Sequence, residues 1–168
     1  MVNSNKIKKQ GAYFGILTAV ITVLSFIIGL IGNGNIDSVE IISSIVAMSV
    51  SDSMADAYGV YEADKTQDNK ISDKQAIIGA GYAFISKLCC QIIFIVPFLF
   101  ISNAKWSAVC CTLLGILILI MVSKNIATTR NSTWSTTSFR ILSVTGITTI
   151  LSVFVTKLIL FIKIKNKI

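Results

Sequence analysis

Five stretches of this chain are each apolar enough, and long enough at about 1.5 Å per helical residue, to cross the roughly 30 Å hydrocarbon core of a bilayer. They cover residues 11–32, 39–61, 75–101, 104–123 and 140–162. No other feature restricts the fold as tightly. Lipid offers no hydrogen bonds, so a spanning segment must satisfy its own backbone, and apolar runs of this length do so as helices. The sequence therefore predicts an all-α integral membrane protein, a single transmembrane domain over residues 1–168 with five transmembrane helices. Charged residues make up 14% of the chain, against about 25% in a soluble domain.

The N-terminal "KIKKQGAYFGILTAVITVLSFIIGLIG" has the basic and apolar parts of a signal peptide. Its apolar part is too long and lacks a small-residue cleavage site, so it reads as a retained first span. The links are short: "NGNIDS", then "EADKTQDNKISDK" with alternating charges, a turn near Ser102-Asn103, and the Ser/Thr-rich "KNIATTRNSTWSTTSF". Basic residues set the orientation. Lys6, Lys8, Lys9, Lys65, Lys70, Lys74, Lys124, Arg130 and Arg140 fall on one side, with Lys105, Lys163, Lys165 and Lys167 on the other. That asymmetry predicts a cytoplasmic N-terminus and a C-terminus on the opposite side. Asn131-Ser132-Thr133 is a glycosylation sequon, which this topology leaves in the cytoplasm and unmodified. The net charge of +7 belongs to these flanks and does not point to nucleic acid.

Within the second span, "SDSMADAYGVYEADKTQD" brings two carboxylates, Asp52 and Asp56, four residues apart. On a helix they lie on one face, one turn apart, with Met48 a turn before them. Asp52 is nine residues from Tyr61, hence about 14 Å from the cytoplasmic end. An acid at that depth costs about 2.5–3.5 kcal/mol on insertion scales and usually faces a polar interior or marks an ion pathway. Lys87, twelve residues into the third span, reaches the same depth, about 18 Å in. Two readings follow. An Asp52–Lys87 pair ties two helices together, or the carboxylates bind a cation, since one lysine leaves a charge of −1 for a proton or metal to meet. Carboxylate oxygens alone suit magnesium, calcium or manganese, a thioether from Met48 or Met54 tilts the set towards iron(II) or softer ions, and the absence of histidine argues against a typical zinc site. A second helix or subunit must complete such a site.

Other features exclude more than they indicate. There is no glycine-rich phosphate loop, no Gly-x-Ser-x-Gly and no histidine base, so the chain does not read as an enzyme. Cys89-Cys90 and Cys110-Cys111 lie in apolar runs, and adjacent helical residues point about 100° apart, so they read as packing residues. Gly11/Gly15 and Ala76/Ala80 are small-xxx-small pairs that permit close helix approach. Trp106 and Trp134 flank spans, as in an aromatic belt.

"SMADAYGVYEADKTQD" resembles the close of the second span in the vacuolar iron transporter family, where Ser-Met-Ala and Gly-Glu-Tyr lead into a Ser-Gln-acid segment. Here Ser53-Met54-Ala55, Gly59-Val60-Tyr61 and Thr66-Gln67-Asp68 stand in those places, and "IVPFLF" is similar to the proline-aromatic close of that family's third span. The resemblance implies a homodimer whose first spans line a central pathway. It also implies export of iron(II) or manganese from the cytosol, in exchange for protons, with metal contacts from an acid in span one and from methionine and acids in span two. This chain departs from the family in Gln10-Gly11, where the family has Asp-Gly, in Val60, where it has glutamate, and in a linker too short for cytoplasmic metal-binding helices.

The sequence thus yields an expected divalent-metal transporter with Asp52, Asp56, Met48, Met54 and Glu62 as metal residues and Lys87 as the coupling ion-pair candidate. The metal is cargo, and no tightly bound cofactor is expected. The bilayer, a second copy of the chain and the metal ion are its partners. Glu62 and Asp64 read either as a cytoplasmic mouth or as solvated linker charges. The alternatives are a non-transporting interaction or assembly protein of the same fold and a carrier of another solute. The chain is expected to be multi-pass, in a vacuolar, other endomembrane or plasma membrane.

Overall fold

The computed structural model describes residues 4–32, 37–67 and 71–165. The described chain is all helix and turn: α1 (Ser4–Ile31), α2 (Ser38–Gln67), α3 (Asp73–Ile93), a short α4 (Val96–Phe100), α5 (Ala104–Arg130) and α6 (Trp134–Lys165). Five spans are long and apolar enough to cross a membrane: Ser4–Ile31, Ser38–Thr66, Asp73–Phe100, Ala104–Arg130 and Trp134–Ile162. The fold class expected from the apolar runs is the one observed.

The helices outrun the apolar runs that predict them. The second apolar run stops at Tyr61, yet α2 continues to Gln67. The fourth stops at Ser123, yet α5 continues to Arg130. The fifth starts at Arg140, yet α6 begins at Trp134. Hydropathy marks where a chain leaves lipid, whereas Glu, Ala, Lys and Gln continue a helix readily in water. Most of the expected links at 62–74 and 124–139 are therefore helical. The third span shows the reverse. Pro97 lacks an N–H, and its ring would collide with the carbonyl of Ile93 in a continuous helix. So α3 stops at Ile93, a turn follows at Phe94-Ile95, and α4 restarts with Pro97 in its first turn.

Polar ends are closed locally. The Asn103 side chain accepts from the N–H groups of Lys105 and Trp106 at 3.0 and 3.4 Å, capping α5, which satisfies donors that a helix N-terminus leaves open. At its other end Asn131 takes a left-handed conformation, φ 50°, one that asparagine tolerates better than most residues.

The chain divides into two compact units, Met1–Ala19 with Ser44–Ile93, and Val20–Ser43 with Phe94–Ile168. In the first, α1 and α3 approach so closely that a Cβ on Gly11 would overlap the Gly79 carbonyl, and one on Gly15 the Ala83 carbonyl and the Ser86 hydroxyl. Gly11 and Gly15 thus play the small-residue role expected of them. Their counterparts on α3 are Gly79 and Ala83, with Ala76 buried one turn earlier. In the second unit, Val20, Val23, Leu24 and Ile27 of α1 are buried. Leu24 fills the space over Gly115 of α5, and Ser152 of α6 donates to the Ser25 carbonyl at 2.8 Å. Each cysteine pair has one buried and one exposed member, as their angular separation dictates. The buried Cys111 thiol donates to the Phe94 carbonyl at 3.3 Å.

Candidate functional site

On α2, Ile45, Ser49, Ser53 and Ala57 recur every four residues, and all are buried. On α3 the buried stripe is Ala76, Gly79, Ala83, Lys87, Cys90 and Gln91. From this stripe the Lys87 side chain reaches the acids that α2 offers. Asp52 and Asp56 flank the buried stripe of α2, one residue round from it.

Lys87 bridges both carboxylates. Its Nζ lies 2.7 Å from Asp52 Oδ2 and 2.5 Å from Asp56 Oδ2, while the lysine side chain is 1% exposed and the aspartates 27% and 24%. A buried ammonium demands such pairing, because desolvating it costs several kcal/mol that only a close counter-charge recovers. Gln91, one turn after Lys87, donates through Nε2 to Asp52 Oδ2 at 3.0 Å, and the Ser53 hydroxyl donates to Gln91 Oε1 at 3.3 Å. Among the described residues the Oδ1 of each aspartate accepts no hydrogen bond. Two carboxylates and one ammonium have a formal sum of −1, and two carboxylate oxygens are left without a hydrogen-bond partner among the described residues.

The pairing of Asp52 with Lys87 is the one that matched depth implies, and Asp56 joins it. Gln91 and Ser53 are participants that sequence reasoning missed. The signal was present: Gln91 is four residues past Lys87, and Ser53 lies on the i+4 stripe that includes Ser49. The expected ligands do not all converge. Met48 lies one turn before Asp52 on the same side and is half-buried. Met54 is 65% exposed, and two residues from either aspartate it faces the other flank of α2. Glu62 is exposed and hydrogen-bonds with Tyr58 rather than with the aspartates. Among the described residues no three acidic, cysteine or histidine side chains gather as a metal cluster.

A second polar feature lies in the same unit. Gln10 and Gly11 of α1 line one cavity of about 200 Å³ with Gly59, Val60 and Asp64 of α2. With Gln10 and Val60 there, Asp64 is the one carboxylate among the lining residues. Asp52, Asp56 and Lys87 line neither this cavity nor the larger one, about 520 Å³, in the second unit.

The open side of α2 has a pattern of its own. Ala47, Ser51, Ala55, Gly59 and Ala63 recur every four residues, and all are exposed. Each aspartate directly follows one of them, so the carboxylates sit between the buried stripe and this small-residue stripe. No protein-family model matches the sequence, and no curated protein matches it, so the likeness to vacuolar iron transporters is carried by the quoted residues alone.

Proposed function

We propose that this protein is a membrane transporter of divalent cations, iron(II) or manganese(II) being the cargo best suited to the donors. Asp52 and Asp56 hold the ion and Lys87 occupies their place between ions. The observation that carries this reading is the charge imbalance at the cluster: a −1 site with two free carboxylate oxygens, inside a helix that crosses the membrane. An arriving cation takes the free Oδ1 atoms, weakens the hold on the ammonium and displaces it. Met48 supplies a soft donor from the same side of α2. The ligand set is still short, and a second copy of the chain completes it. The exposed small-residue stripe beside the aspartates permits the close helix approach such a dimer needs. Export from the cytosol against protons follows from the resemblance and from the orientation given by the basic residues.

Metal uptake into proteoliposomes tests the site. Asp52→Asn and Asp56→Asn should each lower iron(II) or manganese(II) flux at least about tenfold, the effect of losing one charged ligand. Flux unchanged in both variants would remove the site.

A second reading has its own support. Each aspartate already has an ion-pair partner, Gln91 and Ser53 brace the cluster, and neither cavity adjoins it. On that reading the cluster ties α2 to α3 in a membrane protein that moves no ion. Absence of flux for every divalent ion, in a reconstituted chain that remains folded, favours it.

A further inference from the structure

The second unit has a groove of about 520 Å³ that the acid cluster does not use. Its volume falls within the range of ligand pockets, roughly 300–1,000 Å³. Ile28 and Ile31 near the end of α1, and Val109 and Leu113 of α5, form apolar walls, and Lys105 and Lys157 line it too. The one hydroxyl in the lining, Thr112, already donates to the Ala108 carbonyl at 2.8 Å. Among the described residues the salt bridges belong to Lys65 and Lys87, so Lys105 and Lys157 have no carboxylate partner. No acid lines the groove.

Position sharpens the mismatch. Lys105 occupies the first turn of α5, at the positive end of the helix dipole, where a cation is disfavoured and an anion favoured. Trp106 beside it is 65% exposed, as for a side chain at a membrane interface. Lys157 lies eight residues before the end of α6, about 12 Å along the helix, within reach of that interface by its flexible stem. An apolar trough with two unpaired cations at a bilayer boundary calls for one kind of occupant: a hydrocarbon chain carrying an anionic head. We propose that the groove is a binding site for an anionic phospholipid, one acyl chain lying against Ile28, Ile31, Val109 and Leu113 and the phosphate between Lys105 and Lys157. This proposal is independent of the transport reading.

Native mass spectrometry of the full chain in nonionic detergent, with equimolar phosphatidylglycerol and phosphatidylcholine of the same acyl chains, tests it. Two lysines near the surface, at about fivefold each, predict roughly 25-fold preferential retention of phosphatidylglycerol. Lys105→Gln with Lys157→Gln should abolish the preference. Val109→Trp, which fills the groove and leaves both charges in place, should lower retention of phosphatidylglycerol to that of phosphatidylcholine. Lys163→Gln with Lys165→Gln should leave the preference intact. Equal retention of the two lipids by the wild-type chain would overturn the site. So would loss of the preference in the Lys163/Lys165 variant, which would assign it to the basic tail. Displacement of the lipid by glycerol phosphate alone would overturn the role of the acyl chain.

Discussion

At the scale of single residues the acid cluster behaves by charge arithmetic, and the arithmetic is testable without knowing the cargo. Replacing either Asp52 or Asp56 by asparagine leaves Lys87 with one carboxylate, a neutral pair. Each single variant should therefore melt within a few degrees of the wild type. Replacing both leaves a buried ammonium with no counter-charge, which costs about 3–5 kcal/mol and should lower the melting temperature sharply. Adding Lys87→Met to the double variant should restore most of the loss, because a neutral site of similar volume remains. Equal melting of the double and single variants would contradict the burial of Lys87. On the proposed transport reading, Lys87→Met removes an internal competitor and should lower the half-saturating metal concentration by about tenfold or more, read from initial uptake rates. Part of this was legible in the sequence. Equal depth along two spans paired Asp52 with Lys87, and spacing placed Asp56 beside Asp52. For Gln91 only its place one turn past Lys87 was legible; its bond to Asp52 was not, because a helical pattern gives faces within a helix and leaves the rotation of one helix against another undetermined. Met54 is a different case: closeness in sequence suggested a ligand, whereas the 100° step per residue, readable within the helix itself, carries it to the far flank.

At the scale of elements, the approach of α1 to α3 positions the lysine. A Cβ on Gly15 would lie 3.0 Å from the backbone nitrogen of Lys87, so a larger side chain pushes on the residue that bridges the two carboxylates. Gly15→Leu should cost about 1–3 kcal/mol by overpacking and should also reduce uptake. Gly146, which has open space where its Cβ would be, provides the control: Gly146→Leu should leave both melting and uptake near wild type. The ends of elements were the least legible part of the fold. Glu62 to Gln67 leave the apolar pattern and stay helical, since solubility and helicity are separate properties. Pro97 was visible, and its effect is local: it ends α3 at Ile93 and resets the backbone before α5.

At the scale of the whole molecule, five spans place the two termini on opposite sides of any membrane that all of them cross. The distribution of lysine and arginine predicts that the N-terminus is cytoplasmic, and the exposed Asn131 of the sequon offers a direct check. In cells that glycosylate, the chain should migrate unchanged after endoglycosidase treatment, whereas a shift in mobility would invert the topology. If a second copy docks on the small-residue stripe, Ala55→Cys in the wild-type background should form a cross-linked dimer under mild oxidation, and Ile85→Cys on α3 should not. The number of spans was readable because hydrocarbon thickness dictates length, and the pairing of copies was not, because a surface of Ala, Ser and Gly has the same hydropathy whether it meets lipid or another helix. The placement of Lys87 has a consequence for any ion that visits its neighbours. An ammonium fixed to α3 does not dilute: its effective concentration stays at about millimolar or above whatever the cell contains. On the proposed transport reading, a dissolved rival at trace levels must prevail over that resident through valence rather than abundance, an advantage open to scarce doubly charged ions and closed to plentiful singly charged ones.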